Sequence, residues 1–356
     1  MPVAQSQDLL LPSFDVLING SPLPVDATTH VISITVDNDV NLPGMFTLAF
    51  TGLNEQAGAI AWLDDQKLFG IGNVVEVKLG YVDHLTTLIV GEITGLEPEF
   101  TCNSLPSFLV RGYDRRHRLQ RGRKVRTFVQ QKDSDIAAQI ASEVGLTAET
   151  RDSEVVHDYV LQANQTDWEF LQTRASQIQY EVVVENKTLF FQPVGNAESE
   201  ALTLTLENGL LEFYPRLSSM GLVSEVTVRG WNPKDKTELV GQAKTGDEVS
   251  TMAGEKSGAA IAEDAFSSAV GRVSDRPIMT QAEADQIAKA RFNQGALELI
   301  TGEGVCLGNT NLQSGKLIKI DGIGKRFSGQ YYVTSASHRY GSRGYYTHFT
   351  VRRNAS

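Results

Sequence analysis

Apolar and polar residues alternate through most of the first hundred positions. In HVISITVDNDV (30–40), Ile32, Ile34 and Val36 alternate with Val31, Ser33 and Thr35, the two-residue period of a half-buried strand. MFTLAFTG (45–52), NVVEVKLGY (73–81), LTTLIVGEITGLEPEF (85–100) and SFLVRGYD (107–114) continue the pattern. FDVLING (14–20) ends in Asn19-Gly20, a strong hairpin signal. The piece between, NEQAGAIAWLDDQKLFGIG (54–72), predicts a short helix and a loop.

After residue 126 the period lengthens. KDSDIAAQIASEVGL offers Asp133 or Ser134 as an N-cap, sets Ile136, Ile140 and Val144 on one helical face, and stops at Gly145. NQTDWEFLQTRASQIQY predicts a second amphipathic helix, with Trp168, Leu171, Ala175 and Ile178 in one stripe. YEVVVENKTLFFQP (180–193) reads as a hairpin about Glu185-Asn186-Lys187. The β pattern returns in LVSEVTVRGWNPKDKTELVG (222–241). The Gly/Ala/Ser-rich stretch that follows, to residue 279, reads as a long loop that orders against a partner. Thr280 and Glu283 form a capping box for a further helix. The expected organisation is a first β-barrel domain (1–114), a basic junction (115–126), an inserted α+β module (127–200), and a second β-barrel domain (201–240 and 280–356) interrupted by the 241–279 loop.

The closing residues rhyme with an earlier segment. GNVVEVKLGY (72–81) matches GKLIKIDGIG (315–324), EITGLEP (92–98) matches YVTSASH (332–338), and SFLVRG (107–112) matches HFTVRR (348–353). The last match sets Phe108, Val110 and Arg111 on Phe349, Val351 and Arg352. VISITVDND (31–39) resembles VSEVTVRGW (223–231). Any two antiparallel domains share alternating Val, Ile and Thr, but four segments in one order predict two copies of a single small barrel.

Charge sharpens this picture. The 356-residue chain carries a formal net charge of −11, yet Arg111–Arg126 holds seven Arg, one Lys and one acid. The rest of the chain is therefore near −18. Two readings of the run compete. Arginines interleaved with Tyr113 and Phe128 suit phosphates and bases. An acidic body instead supplies carboxylates as the nearer partners, and a strongly acidic chain is not one that coats nucleic acid. The second reading makes Arg111, Arg115, Arg116, Arg118, Arg121, Arg123, Lys124 and Arg126 contacts between domains or subunits.

No P-loop, H-E-x-x-H, G-x-S-x-G or C-x-x-C motif occurs, and no acid pair is placed for glycoside cleavage. The expectation is no enzyme, no metal and no cofactor. His338 and His348 are expected as a surface pair across a hairpin. Cys102 and Cys306 read as free thiols of a cytoplasmically made protein rather than as one long-range disulfide. No secretory signal is seen at the start, and no run of apolar residues is long enough to insert stably in a membrane.

Four stretches carry a family resemblance: FLVRGYDRRHRLQRGRKVRTF, KDSDIAAQIASEVGL, NQTDWEFLQTRASQIQYEVVVENKTLFFQP and GQYYVTSASHRYGSRGYYTHFTVRR. They resemble the late control D family of contractile phage tails and the N-terminal hub part of VgrG proteins. The most specific parts are Val110–Arg126 and Asp167–Leu171. The resemblance implies a structural baseplate hub, a homotrimer whose two barrels per subunit make a pseudo-sixfold ring between a sixfold inner tube and a threefold spike. It further implies an inner-tube or tube-initiator protein, a separate spike protein and baseplate wedge components as partners, within a phage virion or injection particle. VgrG chains continue into an OB-like domain and a β-helical spike, whereas this sequence stops at Ser356, which fits a spike on a separate chain. The rival reading is a β-rich carbohydrate- or peptidoglycan-binding surface module.

Overall fold

The computed structural model describes residues 11–54, 59–60, 62–100, 106–195, 200–232, 235–274 and 278–356. Twelve strands make up nearly all of one large sheet. The first six are β1 (Pro12–Ile18), β2 (Val31–Asp39), β3 (Met45–Thr51), β4 (Val74–Tyr81), β5 (His84–Glu99) and β6 (Ser107–Asp114). The second six are β7 (Glu200–Leu204), β8 (Leu210–Leu217), β9 (Ile300–Leu307), β10 (Leu317–Ile320), β11 (Gly329–Gly341) and β12 (Gly344–Arg353).

Hydrogen-bonded neighbours run β2-β3-β6-β5-β4-β1 in the first half and β8-β9-β12-β11-β10-β7 in the second. Each strand thus has a counterpart six places later. The ladders agree in detail as well. A bulge at Thr94 of β5, against β6, recurs at Thr334 of β11, against β12. A bulge at Ile32 of β2, against β3, recurs at Leu211 of β8, against β9. A bulge leaves one residue unpaired and bends its strand, so its placement is part of the fold's design. The copies differ at their last strand: β1 pairs antiparallel with β4, but β7 pairs parallel with β10.

Each half has its own core. Val16, Ile34, Phe46, Val75, Ile93 and Val110, one from each strand, belong to a single cluster, so the six-stranded run curls round it. Leu204, Leu210, Cys306, Ile318, Val333 and Phe349 do the same in the second half. The two runs meet edge to edge, β2 pairing antiparallel with the C-terminal half of β11. The chain is mainly β, as the alternation predicts.

Two sequence matches need correction. The counterpart of β2 is β8, not 223–231; the strand Glu225–Asn232 lies in a separate three-stranded sheet with Thr237–Lys244 and Val270–Val273. The last strand was matched two residues out of register: the ladders place Val110 on Phe349 and Gly112 on Val351. A slip of two keeps every side chain on its face, so hydrophobic alternation cannot detect it.

Between the halves, the chain forms a unit with its own core. It contains α1 (Asp133–Glu143), α2 (Asp167–Gln177), the ribbon Lys124–Lys132 with Val156–Gln165, and the hairpin Tyr180–Glu185 with Thr188–Pro193. Thr166 and Glu169 cap α2 reciprocally, and Gly145 takes φ 74° after α1.

The expected loop at 241–279 is ordered where described. It holds α3 (Gly258–Phe266), capped by Ser257, and the strand Val270–Val273. Its small residues serve close packing. A Cβ on Gly258 would stand 2.9 Å from Leu299 Cβ, and one on Gly241 would stand 2.2 Å from the carbonyl oxygen of Ala284. Ala284 lies on α4 (Gln281–Ala296), which covers the three-stranded sheet.

Candidate functional site

The basic run leaves β6 through a 3₁₀ turn, Arg115–Gln120, whose N-cap Asp114 accepts from the Arg116 N–H. Glu92, only 5% exposed, lies on β5 beside that turn. It accepts hydrogen bonds from Arg115 Nε at 3.2 Å, from His117 Nε2 at 2.9 Å and from Arg118 Nε at 3.0 Å. Arg115 also donates to the Asn186 carbonyl oxygen at 3.0 Å and to Asn186 Oδ1 at 2.6 Å. Asn186 sits at the tip of the inserted unit's hairpin, so one guanidinium ties that unit to the first β run. Burial alone would raise the Glu92 pKa. The hydrogen bonds of Arg118 and His117, with the charges of Arg118 and Arg115, outweigh it and hold Glu92 below the usual glutamate value.

Arg116 turns the other way. Its Nε donates to Asp114 Oδ2 at 2.7 Å and its Nη1 to the Asp39 carbonyl at 3.0 Å, with the guanidinium 5.8 Å from the Trp168 ring centroid. Such a stack adds cation–π attraction to the ion pair. Farther along, buried Asp167 accepts from Lys124 at 2.7 Å and from Arg126 at 2.7 Å. Arg123 meets Glu169 bidentately at 2.9 and 3.1 Å, in the open. Arg111, on β6, pairs with Glu97 at 3.3 Å.

Seven of the eight cations therefore face carboxylates of their own chain. Arg121 is exposed, and its side chain makes no ion pair or hydrogen bond among the described residues.

Residues 8–341 match the family model described as the Alg8 N-terminal domain. The chain belongs to the Alg8 N-terminal domain family. No curated protein matches this member. Among solved structures it resembles the 43 kDa tail protein of prophage MuSo2 from Shewanella oneidensis, at 13% identity and TM-score 0.71, covering 96% of this chain and 98% of that one. It is also similar to the tail protein from Neisseria meningitidis MC58, at 14% identity and TM-score 0.67, covering 96% of each chain. A third is the E. coli c3393 protein, a component of the type VI secretion system similar in structure to the T4 tail proteins gp27 and gp5. There the identity is 15% and the TM-score 0.62, over 96% of this chain and 77% of that one. At these identities the likeness is one of fold, and it is the tail-hub fold that the resemblance to late control D and VgrG proteins implied.

Other candidates in this Alg8 N-terminal domain carry no chemistry. His338 is fully buried, not a surface residue; its Nδ1 lies 2.9 Å from Tyr345 Oη, and burial pushes its pKa down to about 4. His348 stands opposite Ser337 and is not its partner. Burial pushes the Cys306 thiol up to about 12, so it stays protonated and inert. Cys102 falls outside the described residues. Among the described residues no cluster of His, Cys, Asp and Glu could hold a metal, and no helix is long and apolar enough to cross a membrane. Sequence reading singled out the cations but not their anchor, Glu92, which lies 23 residues before Arg115 and reads as an ordinary strand acid.

Proposed function

We propose that this chain is a non-catalytic hub subunit of a contractile tail or injection particle. Three copies form a ring that joins a sixfold inner tube to a threefold spike carried on another chain, with baseplate wedge components round it. The supporting observation is the duplication: two six-stranded runs with one strand order and bulges at matching places. Three copies then offer six near-equivalent sheets on one face while remaining threefold overall, which is what such an adaptor needs. The arginine run works within this scheme as an internal brace, fixing the inserted unit to the first run.

Size-exclusion chromatography with light scattering, followed by negative-stain imaging, tests the reading. A trimeric ring with an axial channel is expected. A monomer at every concentration that binds glycan would reject it.

A further inference from the structure

The inserted unit meets α4 across a polar seam that holds one buried histidine. His157, on the ribbon strand Val156–Gln165, is enclosed by charged groups from three helices. Asp133 opens α1, Arg174 lies in the last turn of α2, and Glu283 lies in the first turn of α4. His157 Nε2 is 3.2 Å from Asp133 Oδ2 and 2.8 Å from Arg174 Nη2, while its Nδ1 is 3.9 Å from Glu283 Oε1. Arg174 also holds Asp133 directly, at 2.5 and 2.9 Å. The facing ribbon strand sets Gln131, an uncharged amide, opposite His157 and turns Lys132 to Asp152 at 2.8 Å. We infer that His157 is a pH-set latch, which on protonation pairs with Glu283 and tightens the inserted unit onto α4.

Donor and charge counts give the sign. A neutral imidazole has one N–H and one lone pair, whereas the imidazolium donates at both nitrogens. Asp133 and Glu283, one at each nitrogen, are ionised acceptors that only the imidazolium can serve together. With the ring neutral, the charges of Asp133, Arg174 and Glu283 sum to −1, although none of the three side chains is more than 13% exposed. A proton on His157 brings that sum to zero. Arg174 opposes the change, because its Nη2 must give way once Nε2 turns from acceptor to donor. Two attractions at similar range outweigh that one repulsion. The losses also fall elsewhere. Arg174 and His157 both belong to the inserted unit, and Arg174 keeps Asp133 and its 3.1 Å bond to Gln177 Oε1. The pair with Glu283 crosses to α4.

The rest of this seam is loosely held. A cavity of about 120 Å³ opens between α2 and α4, lined in part by Gln172, Ser176 and Gln179 on one side and by Ala290, Gln294 and Leu297 on the other. Gln286 on α4 donates to the Ser153 carbonyl at 3.3 Å, a bond that carries no charge and does not titrate. Little apolar surface is buried where polar side chains line such a space, so a single ion pair weighs heavily in the local opening of the seam. Histidine is the side chain whose charge changes between about pH 5 and 8, and the latch closes as pH falls through that range.

Amide exchange of the full chain at about pH 7.5 and about pH 5.5 tests the latch. Rates are expressed as protection factors, which divide out the intrinsic effect of pH. Protection of residues 153–161 and of the first two turns of α4 should rise at least threefold on acidification, while β4 and β12 stay unchanged. Glu283→Gln still accepts from the Met279 N–H and keeps its own N–H on Thr280 Oγ1, so α4 remains capped while the charge is gone. In that variant the rise should vanish, and in His157→Gln likewise. Should the buried His157→Gln chain fail to fold, Glu283→Gln decides alone. A full rise in Glu283→Gln overturns the proposal, as does a parent protein with no pH dependence at the seam. A fall in protection on acidification that His157→Gln abolishes would show that Arg174 governs and that the latch opens in acid, which also rejects it.

Discussion

Glu92 shows at the scale of one residue how the chain manages its positive run. One buried carboxylate receives two guanidinium groups and an imidazole, and an ion pair loses far more when one partner is stranded than it gains by being paired. Glu92→Ala should destabilise the fold by about 3–5 kcal/mol, read as a lower denaturant midpoint, because Arg115 and His117 would keep their burial without their anion. The pH dependence follows from the lowered pKa. A carboxylate whose folded value lies below its unfolded one contributes fully above the unfolded value, and that contribution fades as pH falls through the folded value. Acid unfolding of the parent should therefore be steeper below the usual glutamate range than that of Glu92→Gln, which has no charge to lose there. Equal acid limbs would remove Glu92 from this role.

At the scale of elements, the strands that sequence reading found are those whose alternation faces a core on one side. NVVEVKLGY and EITGLEP are of this kind, and the duplication is legible from their partners GKLIKIDGIG and YVTSASH. β8 is hard to read in the sequence because LLEFYPRL carries a proline and two charges, features of an edge strand. VSEVTVRGW, a better pattern, matches VISITVDND in sequence although it serves another sheet. The 241–279 stretch reads as a loop for a related reason: Gly and Ala predict little burial per residue, yet here their smallness lets α3 and α4 sit close on their neighbours. Gly258→Val tests this directly. With Leu299 Cβ 2.9 Å and Leu222 Cδ1 3.1 Å from the position of a new Cβ, overpacking should cost about 1–3 kcal/mol. A thermal midpoint unchanged from the parent would return the stretch to the status of a tolerant loop.

Across the whole molecule, the inserted unit is held to both β runs by polar contacts beside one small apolar cluster, in which Val194 of the unit packs with Val40, Leu317 and Tyr332. On the first side stand Arg115 to Asn186 and Gln172 to the Val40 carbonyl. On the second, Tyr332 Oη on β11 donates to Glu181 Oε2 at 2.9 Å, and Gln286 on α4 reaches the Ser153 carbonyl at 3.3 Å. Glu181 is buried, so its bond from Tyr332 is made out of water, where a hydrogen bond to a charged group is worth about 1.5–3 kcal/mol. Tyr332→Phe keeps the ring and its packing but withdraws that donor. The loss should fall on docking of the inserted unit, not on the sheet, because Tyr332 still pairs with Leu317 and Arg352 through its backbone. Limited proteolysis should then cut within 115–195 several-fold faster, while amide exchange in β9 and β12 stays as slow as in the parent. Faster exchange throughout the second run would instead make Tyr332 a core residue first and a clasp second. That outcome would leave Arg115 and its bond to Asn186 as the main hold on the unit.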